Sequence, residues 1–154
     1  MPVPMEYRLA SQDFDRFLID VAEETAMTTR NQAYTTVQGV LLCFRRRLSI
    51  EDAIAFAQGL PAMLRALFVQ DWDTTEPRKD TWDRAGMIAE VRQLRVDHNF
   101  SPDTSIRDVV CVTRRYVDHD GFERCLARLP LPARDFWSQA PYPPVADTGH
   151  TATG

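Results

Sequence analysis

A chain of 154 residues, 44% of them apolar, can build one compact core and bury about 68–70% of the surface its unfolded form exposes. Its formal net charge of −4 excludes a protein that wraps a polyanion by bulk charge, and its basic character is almost wholly arginine, with Lys79 the single lysine. Cys43, Cys111 and Cys125 are odd in number and show no Cys-x-x-Cys spacing, so they read as reduced core thiols of a cytosolic protein.

The first predicted helix starts at Ser11, a good N-cap, and carries Phe14, Phe17, Leu18 and Val21 on one face before ending near Ala26. Thr28 or Thr29 caps the second, where Ala33, Val37, Val40, Leu41, Phe44 and Leu48 form a broad apolar face that should lie centrally. Arg45, Arg46 and Arg47 close it, placing positive charge at the negative end of the macrodipole. Ser49 to Asp52 starts a third helix with Ala53, Phe56, Ala57 and Leu60 inward. Gly59 and Pro61 end it and open a fourth, carrying Met63, Leu64, Leu67 and Phe68.

Residues 69–81 are polar and contain Pro77, as a linker would. A fifth helix follows, striped by Met87, Ile88, Val91 and Leu94. Phe100-Ser101-Pro102 supplies a staple residue, an N-cap and an N1 proline for the sixth. Its Val109-Val110-Cys111-Val112 run has strand propensity, yet the Ser-Pro start favours helix. Asp118 caps the seventh, with Phe122, Cys125, Leu126 and Leu129 inward, and Pro130 opens the eighth, which ends at Phe136-Trp137. The tail, residues 138–154, lacks periodicity and is rich in proline and small polar residues, which predicts disorder.

The chain also matches itself. At an offset of 69 residues Thr35, Val40, Arg45, Arg46, Leu60, Pro61 and Arg65 meet Thr104, Val109, Arg114, Arg115, Leu129, Pro130 and Arg134. This predicts an all-α fold: a single helical domain over 1–137, built from two tandem repeats of about four helices each, 11–68 and 82–137, related by approximate twofold symmetry. Ala53, Phe56 and Ala57 correspond to Phe122, Cys125 and Leu126, an exchange of large and small residues suited to facing surfaces.

Groups that could carry chemistry are sparse. Asp118-His119-Asp120-Gly121 sets carboxylates beside an imidazole, but no second histidine stands at i+3 or i+4, and position 12 of a calcium loop would be Leu129. An exposed helix start accounts for it better. His98 follows Asp97 in a turn between helices, and His150 is in the tail. Glycine-rich phosphate loops, His-Glu-x-x-His and nucleophile elbows are absent from the sequence. The expectation is therefore no catalytic, cofactor-binding or metal-binding residue. Arg45, Arg46, Arg114 and Arg115 form the charged pair repeated in both halves and are the candidate partner-binding residues, able to clamp an anionic surface. Their plainer use is to complement helix ends and to pair with aspartates. Trp72, Trp82 and Trp137 mark either a contact surface or the edges of the core.

Two copies of an apolar helix that runs into arginines and then a capped short helix ending in Leu-Pro, here Leu41 to Ser49 leading to Gly59-Leu60-Pro61, resemble the bacterial family known as domain of unknown function 2267. The resemblance covers roughly Phe14 to Trp137, and the second half departs from it at Asp118-His119-Asp120-Gly121 and at Pro132. It implies a small cytosolic helical protein and carries no catalytic residue, ligand or cofactor. The favoured reading is a non-enzymatic interaction or regulatory module that binds protein, itself or another. No basic region followed by an apolar one opens the chain and no apolar run approaches the roughly 18 residues of a span, so neither export nor a membrane partner is expected. Two alternatives stay open. One is a nucleic-acid-associated regulator, favoured by the arginine pairs and disfavoured by the acidic total. The other is an enzyme or small-ligand binder with a pocket between the repeats, using Asp97, His98 or the Asp118 cluster.

Overall fold

The computed structural model describes residues 1–94 and 101–138, and among these every regular element is an α-helix. Asp97, His98, Phe100 and the tail from residue 139 onward lie outside the described residues. The run Val109 to Val112 is helical, so the hydrogen-bonding context set by its flanks outweighs β-propensity.

A short helix not expected from the sequence, α1 (Met5–Arg8), precedes α2 (Ala10–Glu24). Ser11 is not the N-cap. Leu9 is, and Asp13 N donates to its carbonyl, so the chain turns helical two residues earlier without a side-chain cap. Thr25 ends α2, donating its hydroxyl to the Val21 carbonyl at 2.6 Å, and Ala26 turns the chain with φ 56°. In α3 (Arg30–Arg45) the Thr29 hydroxyl accepts from Gln32 N while the Gln32 side chain accepts from Thr28 N, a reciprocal cap. Ser49 caps α4 (Ile50–Ala57) through Asp52 N at 3.1 Å. Pro61 then sits at the N-cap of α5 (Ala62–Val69) with φ −56° and ψ 153°.

Asp83 caps α6 (Arg84–Gln93) by accepting from Gly86 N, a cap the hydrophobic stripe alone does not reveal. The expected Ser101-Pro102 start of the next helix is corrected: α7 spans Ser105–Tyr116, with Ser101 and Pro102 in the turn before it. The buried Ser101 hydroxyl lies 2.7 Å from that of Thr36, so it ties the turn to α3 instead of capping a helix. Asp118 caps α8 (His119–Ala127) as expected. Pro130, with φ −57° and ψ 153°, precedes α9 (Leu131–Trp137). The second proline, Pro132, falls in the first turn of α9, where an amide has no intrahelical partner to lose, so the helix is regular.

Central α3 packs against α2, α5, α6 and α7. Two further contacts cross between the halves, α2 on α7 and α4 on α8, while α2 also packs on α5 within the first half. An aromatic cluster fills the middle, with Phe44 4.8 Å from Phe56 and 4.9 Å from Phe136 between ring centroids, and Phe56 5.8 Å from Phe122 across the α4–α8 contact. Trp137 is fully buried among these rings, not at an edge, and its indole N–H has no partner among the described residues. Close approach of α3 and α6 depends on Gly39, where an added Cβ would stand 3.0 Å from the Val91 carbonyl oxygen and 3.1 Å from its Cγ1. No helix among the described residues is long and apolar enough to cross a membrane.

Two outcomes follow from this packing. Gly39→Ala gains helix propensity but forces backbone apart, and chemical denaturation should show a net loss of about 1–2 kcal/mol. Residues 1–76 and 77–154 expressed separately should give no cooperative melting transition by circular dichroism, because α3 would lose α6 and α7, and α7 would lose α2.

Candidate functional site

The arginines at the end of α3 are drawn inward. Arg45 is 5% exposed and Arg47 7% exposed. From Arg47, Nη2 reaches Glu90 at 2.9 Å, Nε donates to the Thr81 carbonyl at 2.6 Å and Nη1 to that of Cys43 at 2.8 Å. Arg46 pairs with the other oxygen of Glu90 at 3.0 Å, and Lys79 lies 3.3 Å from Glu90. Burial alone would push the Glu90 carboxyl up. Hydrogen bonds from Arg47, Arg46 and Lys79 and the Arg47 charge outweigh it and hold the group below the ordinary glutamate value. Beside it, burial and then the Glu90 charge push the Cys43 thiol up to about 12, so it stays protonated and is no nucleophile at neutral pH.

Arg45 is satisfied differently. Its Nη1 donates to the carbonyls of Phe68 and Gln70, each at 3.0 Å, and its guanidinium lies 5.1 Å from the centre of the Trp72 ring. It makes no ion pair among the described residues, and its Nε has no hydrogen-bond partner. Burial, and then the neighbouring Arg46 charge, lower its pKa from the usual arginine value; Glu76 and Asp71 offset part of this. In the second half Arg114 repeats the backbone contact, Nε donating to the Trp137 carbonyl at 2.7 Å, 23 residues ahead, as Phe68 is from Arg45. Arg114 also lies over a ring, that of Phe122, at 5.3 Å. Unlike Arg45 it has a carboxylate, Glu123, at 2.5 Å. Arg115 pairs with Glu24 on α2 at 2.9 Å. The four sequence-predicted arginines thus fall at two separate places, one at the end of α3 and one at the end of α7, and each makes contacts within its own chain.

A cavity of about 260 Å³ opens beside Arg45, walled by Trp72, Leu48, Ile50 and Pro77, with Arg46 and Arg78 at its sides. A wider cleft of about 740 Å³ separates the α4–α5 turn from α8. Arg65, Arg124 and Arg128 line it together with Glu6, Asp13 and Asp118, so its charges balance. Within it, Asp118 is occupied as a helix cap and Arg65 by Glu6 and the carbonyls of Ala57 and Leu60. His119 and Asp120 are exposed on the first turn of α8. Among the described residues no three of His, Cys, Asp and Glu converge in a group able to hold a metal ion.

The apolar α3 with its terminal arginines, the Ser-capped and Pro-started helices after it, and α7, α8 and α9 with Asp118 and Pro130 all lie within the stretch that a family model matches, residues 14–136. The chain belongs to the uncharacterised conserved protein family DUF2267. Among curated proteins none matches it. For this DUF2267 chain, sequence reasoning missed Arg47 and Glu90. The signal was present: Arg47 follows Val40 and Phe44 at helical spacing, and Glu90 lies between Met87 and Val91 on the buried face of α6.

Breaking this network should be costly. Glu90→Gln leaves Arg47 buried without its counter-charge and should lower unfolding free energy at pH 7 by about 3–5 kcal/mol in urea denaturation. Because the folded carboxyl titrates below its unfolded value, its stabilisation is complete well above about pH 4.3 and is lost as pH falls through the folded value. The difference between wild type and variant should shrink in that acid window and stay flat between pH 6 and 8.

Proposed function

We propose that the protein is a non-enzymatic helical interaction module that binds another protein through the outward face of α4. One observation carries this reading: Ile50 and Ile54, one turn apart, are 45% and 55% exposed, although the opposite face of α4 already buries Ala53, Phe56 and Ala57. A helix apolar on both faces is expected to be covered on both. At the corresponding positions of α8, 69 residues on, stand His119 and Glu123, which suit water.

The same reading takes the two halves as repeats about an approximate twofold axis. Supporting it are the matched carbonyl contacts of Arg45 and Arg114, and the crossed pairs in which Arg46 reaches Glu90 on α6 and Arg115 reaches Glu24 on α2. On this scheme Arg46, Arg114 and Arg115 are frame through their ion pairs, and the first half alone offers an apolar face for a partner. A ligand-binding role for the cleft has its 740 Å³ volume in its favour, but the acids and bases that line it are largely used within the chain.

The test is capture from native cell extract, with the mass in solution measured by light scattering. Wild type should retain a discrete protein, with a corresponding rise in mass, and the double variant Ile50→Ser with Ile54→Ser should lose it while melting at the same temperature. Partner capture and mass unchanged in that variant would contradict the reading.

A further inference from the structure

We infer that the cavity beside Arg45 is a binding pocket for a single carboxylate carried next to an apolar group. Arg45 is 95% shielded from solvent, both carbonyls that satisfy it take Nη1, and its Nε is enclosed, which leaves Nη2 to donate to a single carboxylate oxygen entering from the cavity. The chain itself displays what completes such an arginine. Arg114, matched to Arg45 in sequence, in its carbonyl contact and in its overlying ring, is completed by Glu123 at 2.5 Å. The residue at the position corresponding to Glu123 is Ile54, so the first half lacks that carboxylate. A buried guanidinium held by carbonyls and an indole face, with no carboxylate, is a costly arrangement that an incoming acid would relieve.

The walls define the rest of the ligand. Trp72, Leu48, Ile50 and Pro77 give apolar surface, while Arg46 and Arg78 add positive charge against Glu76, which pairs with Arg46 at 3.8 Å. Arg78 is exposed at the side of the cavity and has no hydrogen bond or ion pair among the described residues. The volume of about 260 Å³ admits a group the size of benzoate. Ile50 lines this cavity and also belongs to the proposed partner face, so the inference deepens the interaction reading: the carboxylate would come from an acidic side chain flanked by apolar ones, or from a free small acid. It can fail while that reading stands, because small acids test the pocket and partner capture tests the face.

Calorimetric titration of the full chain with benzoate, benzamide and inorganic phosphate, and with a blocked peptide bearing one glutamate between leucines, decides the matter. Benzoate should bind saturably and more weakly at higher salt, while benzamide should not bind and phosphate should bind about tenfold more weakly or less. Arg78→Gln should weaken benzoate, and Ile50→Glu, which places an acid of the chain's own on the cavity wall, should weaken it by about tenfold or more with an unchanged helical spectrum. The peptide binding tighter than benzoate identifies a protein as the source, and the reverse identifies a free acid. Absence of saturable benzoate binding, equal binding of benzamide or phosphate, or affinity unchanged in both variants would overturn the inference.

Discussion

Burying guanidinium charge at the end of α3 is the constraint on which the rest of the structure depends. Arg47 is enclosed, and a buried charge is tolerated only with excellent pairing and nearly complete hydrogen bonding. Glu90 supplies the counter-charge, and that fixes α6 against α3 where Gly39 allows the two backbones to approach. The Thr81 carbonyl supplies an acceptor, and Lys79 N donates to the Arg46 carbonyl, so the linker is strapped along the helix end. Placing the linker this way brings Trp72 over Arg45 and Trp82 against Phe44. One polar anchor thereby sets the position of several apolar contacts.

The same residue type serves frame and, on the proposed reading, recognition. Arg114 is complete within its own chain through Trp137 and Glu123, whereas Arg45 has the backbone and ring contacts without the acid. Replacing a glutamate-like position by Ile54 does two things at once: it removes a carboxylate and adds exposed apolar surface on α4. An acidic, apolar partner would supply both.

Much of this fold was legible in the sequence because hydrophobic stripes at helical spacing survive tertiary packing. The eight expected helices lie where Phe14 to Val21, Ala33 to Phe44 and their later counterparts predicted them. Starts were less legible. Ser11 and Ser101 have the chemistry of caps, but Leu9 begins its helix two residues ahead of Ser11, and Ser101 is engaged by Thr36, 65 residues away, which no local rule can see. The site was harder still. Arg47 and Glu90 occupy inward positions by periodicity, yet a charge on a helix is ordinarily solvated, and only their pairing across 43 residues makes the inward placement stable. Trp137 looked amphipathic by type, whereas the aromatic cluster encloses it entirely.

The measurement that tests the anchor most directly is a double-mutant cycle between Arg47→Met and Glu90→Leu, followed by urea denaturation at pH 7. A direct buried pair predicts strong coupling: each single variant strands a charge, and the double variant, which strands none of this pair, should recover much of the loss, with a coupling energy of about 2–3 kcal/mol. Losses that simply add, with the double variant as unstable as the sum of the singles, would contradict an anchor built on this pair.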